Sequence, residues 1–282
     1  MTEPIERSHL TLHGDASGDA PASGTRAVTR EIVIAASLDA VWKALTDAEE
    51  LTRWFPPLAR VDPGVGGSLW RAWPSGEEIE ERIECWEPNA HLRTVGLVSA
   101  WKGITTDYHL TSRSGSTVLR VVSSGFGADA TWDALYDAFG GGWDFELLGL
   151  RHYLECHAGV PRNMVFVRGS RPMSAAESWR RLVGPGGWFG ERGLTDSTQG
   201  TRYSGCLTTG QTLSGVMYLW HPPRQFAATV DEFNNAYLRV DTRCIGDTGT
   251  PWISLSTYGI PLDQVRALER TWQATLDASM DR

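Results

Sequence analysis

Asp107 and His109 stand two residues apart in the run Thr105-Thr106-Asp107-Tyr108-His109-Leu110. In an extended strand, residues i and i+2 share a face, so the carboxylate and the imidazole would lie together while Tyr108 takes the other side. Inside an apolar cavity such a pair has displaced pKa values and can pass a proton to and from a bound molecule. On a solvated face it is only a surface pair. Asp107 and His109 are therefore the candidate catalytic residues, and the face they occupy decides whether they qualify.

The second chemical signal is aromatic. Thirteen tryptophans in 282 residues is a heavy load, and a large flat ring with one N–H donor suits a pocket wall or a core. The candidate ligand-binding residues are Trp54, Trp70, Trp73, Glu80, Trp101, Tyr108, Trp132 and Trp143 in the first half, with Tyr218 and Trp220 in the second. Trp70 and Trp73 have opposite parity, so one at most faces a cavity if their strand is regular. Tyr218 and Trp220 have the same parity and are expected to share a face. Glu78 and Glu80 alternate with Ile79, the pattern of a half-exposed strand. Gly140-Gly141-Gly142 marks a hinge or a close backbone approach ahead of a long helix.

Other chemistries lack their signatures. The chain has no G-x-S-x-G, no H-E-x-x-H and no P-loop. Its seven histidines show no ligand spacing along the sequence, so neither a metal nor a cofactor is expected. The four cysteines form no C-x-x-C and read as small buried hydrophobes. The net charge is −8, and only Lys43 and Lys102 are lysines. An acidic chain without a basic run excludes nucleic acid as an expected partner. With no apolar stretch long enough for a signal or a membrane span, the expected location is the cytoplasm, with no membrane partner.

These residues must be positioned by elements that the sequence punctuates clearly. Residues 28–35 read as a strand. Ser37 caps a short helix whose Val41, Trp42 and Leu45 share a face. A second short helix over 47–54 ends at Pro56-Pro57. Strands over 68–73, 77–86, 91–98, 104–111 and 117–124, separated by Gly-, Pro- and Asn-containing turns, predict an antiparallel meander. Helical spacing returns at Ala130 and, after the glycines, runs over 143–156.

The second half repeats this order. Trp179, Trp188, Trp220 and Trp272 match Trp42, Trp54, Trp86 and Trp143 at offsets of 137, 134, 134 and 129 residues. Four anchors in the same order with so little drift indicate an internal duplication. Charge changes at the same place: residues 1–159 hold 13 basic and 23 acidic side chains, net −10, and residues 160–282 hold 13 and 11, net +2. The expected organisation is a flexible arm over 1–27, a first domain over 28–158 and a second, more divergent domain over 159–282.

The string IVIAASLDAVWKALTDAEELTRWF, the Gly66-Gly67 turn, the acidic GEEIEERIECWEP, the segment GSTVLRVV and the closing GGWDFELLGLRHYLE together resemble the SRPBCC superfamily, in its START-like, helix-grip form. The nearest branch is the heat-shock-protein-90 ATPase activator homologue-like group. The resemblance covers residues 28–157 well and 163–280 more loosely. It implies an α+β chain of two tandem helix-grip domains, each a curved antiparallel sheet wrapped around a long C-terminal helix with a cavity between them. It further implies binding of a hydrophobic or aromatic small molecule, chiefly in the first domain. The alternatives it carries are a cyclase- or dehydratase-type lyase acting on an apolar, polyketide-like substrate, and a chaperone-associated module with a protein partner at the second domain.

Overall fold

The structure, a computed structural model, describes residues 25–73, 76–98, 101–243 and 248–281. Most of the expected arm, the turn residues Pro74 and Ser75, and Cys244 lie outside the described residues. The chain divides after Gly159 into two compact units.

The first unit opens with β1 (Thr25–Ile34), α1 (Leu38–Thr46) and α2 (Ala48–Thr52). Both helices start at side-chain caps: Ser37 accepts from the Ala40 amide at 3.2 Å and Asp47 from the Glu50 amide at 2.9 Å. Each such cap is worth about 1 kcal/mol. A meander comes next: β2 (Leu58–Asp62), β3 (Ser68–Ala72), β4 (Glu78–Glu87), β5 (His91–Gly96), β6 (Thr105–Arg113) and β7 (Ser116–Gly127). The seven strands are ordered β1-β7-β6-β5-β4-β3-β2, and every neighbouring pair is antiparallel.

The unit closes with α3 (Asp133–Cys156), a single helix that runs through Gly140–Gly142 rather than starting after them. A Cβ at Gly140 would stand 3.1 Å from the Arg30 guanidinium. The missing side chain lets Arg30 cross the helix surface to Asp144, 2.6 Å away. Of the two readings of the glycine run, close approach applies at Gly140.

Period-two burial identifies the face that α3 covers. In β7, Thr117, Leu119, Val121 and Ser123 are buried, and Val118, Arg120 and Val122 are half-buried. Trp143 of α3 meets Tyr108 edge-on at 5.7 Å, and Phe139 meets Phe126 at 4.9 Å. The core of the unit lies along this contact.

The second unit has β8 (Arg162–Arg168), α4 (Ala175–Val183), β9 (Arg202–Cys206), β10 (Thr212–His221), β11 (Gln225–Val230), β12 (Ala236–Asp241), β13 (Trp252–Tyr258) and α5 (Leu262–Met280). Its sheet order, β8-β13-β12-β11-β10-β9, is that of the first unit without β2. Ser174 caps α4 through the Glu177 amide at 3.3 Å. Both units are thus helix-grip arrangements, an antiparallel sheet with a long C-terminal helix, in tandem. Among the described residues, no helix is long and apolar enough to cross a membrane.

Two of the tryptophan pairs matched by the repeat make the same contact in both units. In β4 the register shifts between Ile83 and Cys85, and in β10 it shifts between Met217 and Leu219. Each irregularity reverses the parity of the rest of its strand, turning Trp86 and Trp220 toward the helices. Trp86 then meets Trp42 edge-on at 5.2 Å, and Trp220 meets Trp179 at 5.1 Å. The shift also corrects the expectation that Tyr218 and Trp220 share a face. Trp220 packs on the core residue Phe226, whereas Tyr218 packs against Tyr237 on the other side of the sheet.

Candidate functional site

In the first unit the side of the sheet that faces α3 carries a buried polar track. Arg71 on β3 and Glu81 on β4 form an ion pair with only 4% and 3% of their side chains exposed. The Thr94 hydroxyl on β5 donates to Glu81 Oε1 at 3.1 Å. The Arg71 guanidinium also lies near the Tyr108 hydroxyl on β6 and over the Phe55 ring at 5.1 Å. Beyond Tyr108, Trp143 Nε1 donates to Ser123 Oγ at 3.0 Å, and Ser123 shares a 3.1 Å hydrogen bond with Thr106. The track crosses five strands and ends at the helix.

Register shows why these residues meet. Antiparallel pairing sets Leu92 opposite Tyr108 and Tyr108 opposite Val121, and sets Thr94 opposite Thr106 and Thr106 opposite Ser123. On the next strands Glu81 stands opposite Gly96 and Leu69, and Arg71 opposite Ile79. Isolated burial of either charge would be prohibitive. The pair persists because each partner neutralises the other and further hydrogen bonds satisfy the carboxylate. Arg71 Nε remains a buried donor with no hydrogen-bond partner. Burial pushes the Tyr108 phenol well above its ordinary range, with the nearby Arg71 guanidinium opposing. Tyr108 therefore stays protonated and acts as a hydroxyl, not a base.

Aromatic rings surround the track. Phe55 stacks on Trp54 at 5.2 Å, meets Trp73 edge-on at 5.8 Å and approaches Trp143 at 6.5 Å. Among the ligand-binding candidates, Tyr108 and Trp143 are part of the track and Trp73 adjoins it through Phe55. Trp54 is buried beneath Phe55, and its indole N–H is taken by the Ala44 carbonyl at 2.8 Å. Trp101 packs on Phe139 at 4.2 Å and Trp132 on Phe126 at 6.5 Å. Both rings thus lie near the N-terminal half of α3, away from Arg71.

Other candidates are on the opposite face. Trp70 is paired between Arg60 and Glu80, with the Arg60 guanidinium 3.9 Å over its ring and its N–H 3.2 Å from Glu78. Trp70 and Glu80 thus have the parity opposite to Leu69, Arg71 and Glu81, and do not face the helix. Asp107 and His109 likewise share a face, as expected, but Tyr108 is the residue that faces α3. The expected acid–base pair is therefore not in the core. Asp107 shares a 2.7 Å hydrogen bond with His91 Nε2, and the His91 and His109 rings stack at 4.3 Å. Nearby, burial and then Glu87 push the Cys85 thiol upward.

Arg71, Glu81, Thr94, Thr106 and Ser123 are not among the residues that sequence pattern singles out. One signal for them is present: Glu81 has the parity of Ile79 and Ile83, so a carboxylate interrupts the apolar face of its own strand. Glu78 and Glu80, which alternate harmlessly, are the more conspicuous pair.

The second unit carries no such track. Along the same pairings outward from Trp220, the register sets Gly205, Gly215, Ala228, Leu238, Val240 and Leu255 where the first unit has Arg71, Glu81, Thr94, Thr106, Tyr108 and Ser123. A Cβ on Gly205 would come within 2.9 Å of Leu194 and 3.0 Å of Phe189, so apolar side chains occupy that space. Trp188, Phe189 and Trp272 are fully buried there, with Trp188 edge-on to Trp272 at 5.1 Å.

Fold and site together define a tandem helix-grip protein with a polar, aromatic-lined face in its first unit. Residues 35–155, within the first unit, match the family of Activator of Hsp90 ATPase homolog 1-like proteins. No curated protein matches the chain. Among solved structures, the chain is similar to Aha1 from Colwellia psychrerythraea, with 21% identity and a TM-score of 0.41, over 48% of this chain and 99% of that one. It is also similar to DynU16, from the dynemicin biosynthetic locus, with 18% identity and a TM-score of 0.40 over 90% and 96% of the two chains. The di-domain ARO/CYC protein BexL, of the BE-7585A biosynthetic pathway, shows 16% identity and a TM-score of 0.43 over 91% and 98%.

Proposed function

We propose that the first unit binds a hydrophobic or aromatic small molecule between its sheet and α3, orienting it through one polar group held at Arg71, Glu81 and Tyr108. The carrying observation is the buried polar track itself. Ligand sites combine mostly apolar and aromatic walls with a few convergent polar groups, and an unpartnered Arg71 Nε beside a protonated Tyr108 fits an acceptor such as a carbonyl or phenol oxygen. A track that served packing alone would have no evident use for a buried ion pair, since the sister unit packs the same places with apolar residues and glycine.

The role is binding and presentation. A cyclase or dehydratase reading needs an acid–base pair at the bound molecule, and Asp107 and His109 are on the other face. The test is displacement of an apolar fluorescent dye, then native mass spectrometry with planar polycyclic phenols and ketones. Wild-type protein is expected to bind them, and the double variant R71M/E81M, which keeps side-chain volume while removing both charges, is expected to lose selectivity for oxygenated over plain aromatic ligands. Equal binding of both ligand types by wild type and variant would defeat the proposal.

A further inference from the structure

On the outer face of the first unit's sheet, three antiparallel strands align side chains that ligate metals. Register sets Glu87 of β4 opposite His91 of β5, and His91 opposite His109 of β6. One step along, Cys85 stands opposite Arg93, and Arg93 opposite Asp107. One donor atom from each of His91, Asp107 and His109 falls within 4.8 Å of the others. The His91 ring nitrogen is already 2.7 Å from an Asp107 carboxylate oxygen.

We propose that His91, Asp107 and His109 form a binding site for a divalent late first-row transition metal, zinc being the reference ion. Two imidazoles and one carboxylate are the donors such ions prefer, whereas magnesium and calcium take oxygen ligands. Metal–ligand bonds of about 2.0–2.1 Å put neighbouring donors about 3 Å apart. The His91–Asp107 separation is close to that value, and the exposed His109, stacked on His91 at 4.3 Å, closes the third side when its ring turns out of that stack. Asp107 is mostly buried, so one ligand is fixed in place while the others adjust. The surrounding charges are mixed. Arg93 lies 3.8 Å from Asp107 but also 3.7 Å from Glu84, to which it can swing, and Arg120 is paired opposite His109. Glu87, across from His91, adds negative charge on the far side. Water or a buffer anion would complete the coordination, leaving an open position.

The site is legible only in three dimensions. His91 and Asp107 are 16 residues apart in sequence, and only cross-strand register unites them. It lies on the face opposite the polar track and stands or falls independently of ligand binding there.

The experiment is titration of tag-free, full-length protein with zinc chloride against a chromophoric chelator. Wild type is expected to take up one zinc per chain with a rise in Tm, since a ligand of the native state stabilises it. Loss of a group that only hydrogen-bonds a metal ligand typically weakens metal binding about 10- to 100-fold, so H109Q and H91Q are each expected to weaken it by at least about tenfold. H109Q changes an exposed side chain and folds normally, which keeps the test decisive. C85S and H221Q are expected to bind as wild type does, and magnesium and calcium are not expected to compete. Absence of zinc uptake by wild type would overturn the proposal. So would undiminished uptake by H109Q, or a loss confined to C85S, which would move the ion to Cys85, Glu87 and His91.

Discussion

The two units share a backbone plan and differ in what fills it. Both place a capped helix after the first strand, both bend one strand to bring a tryptophan onto that helix, and both seat a tryptophan of the long helix against the sheet. In the first unit that ring, Trp143, hydrogen-bonds Ser123 of the sheet. In the second, leucine stands at the corresponding place, and Trp272 Nε1 turns instead to Gln211, 3.0 Å away. Where the first unit holds Arg71 and Glu81, the second holds Gly205, against which Phe189 and Leu194 pack, and Gly215, which lies against Thr229. The second copy has no charged side chain at these places, its buried Tyr203 hydroxyl donating to the Thr229 carbonyl at 2.8 Å, and the first holds an ion pair in the middle of its core. In this duplicated fold one copy fills these places with packing groups, and the other holds there the polar groups on which the proposed binding rests.

The sharpest way to break this comparison is to convert one core toward the other. R71M leaves Glu81 buried without its cation and is expected to destabilise the protein by about 3–5 kcal/mol in urea unfolding. R71M/E81M, which removes both buried charges so that the first unit's core holds no ion pair at these places, as the second's does not, is expected to recover most of that loss. A single variant as stable as wild type would show that the pair is not desolvated.

Smaller effects test what the units have in common. S37A and S174A each remove one helix cap and are expected to cost about 1 kcal/mol. The two values should agree closely, because the caps have the same geometry in both units. A large disparity would mean that one of these helices is held by something other than its first turn.

The smallest effect separates them again. Glu177, in the first turn of α4, is held at about 2 by hydrogen bonds from Arg180 and then Arg181, against about 4.5 for an ordinary glutamate. Ala40 takes its place in the first unit. A carboxylate with a lowered folded pKa contributes stability that is fully present above about 4.5 and is lost as pH falls through about 2. Glu177 is half-buried at the surface and screened by solvent, so the effect is slight. Wild type should lose somewhat more stability than E177Q between those pH values, as read by thermal unfolding. Parallel pH profiles for the two would remove this contribution.

Architecture is the legible part. Capping serines, prolines after helices, glycine turns between alternating strands and the four tryptophan pairs are local or repeated signals, and each element they announce is present among the described residues. The glycine run at 140–142 misleads, because the helix continues through it where Arg30 needs room. The site is less legible. Tyr108 and Trp143 are where pattern points to a ligand face, but Trp70, Glu80, Asp107, His109 and Tyr218 stand on the other side of their sheets.

By itself, the sequence determined that there are two copies of one α+β plan, where their helices begin, and which tryptophans correspond between the copies, because caps, periodicity and repeat spacing act over short stretches of chain. It also determined that Asp107 and His109 lie side by side. Only the tertiary structure decided which side of each strand faces the long helix. Parity gives two faces without saying which is covered, and a single β-bulge, as at Glu84 or Tyr218, exchanges them for the remainder of the strand. The Arg71–Glu81 pair and the His91–Asp107–His109 cluster both depend on that choice and on cross-strand register, which joins residues that the chain keeps far apart.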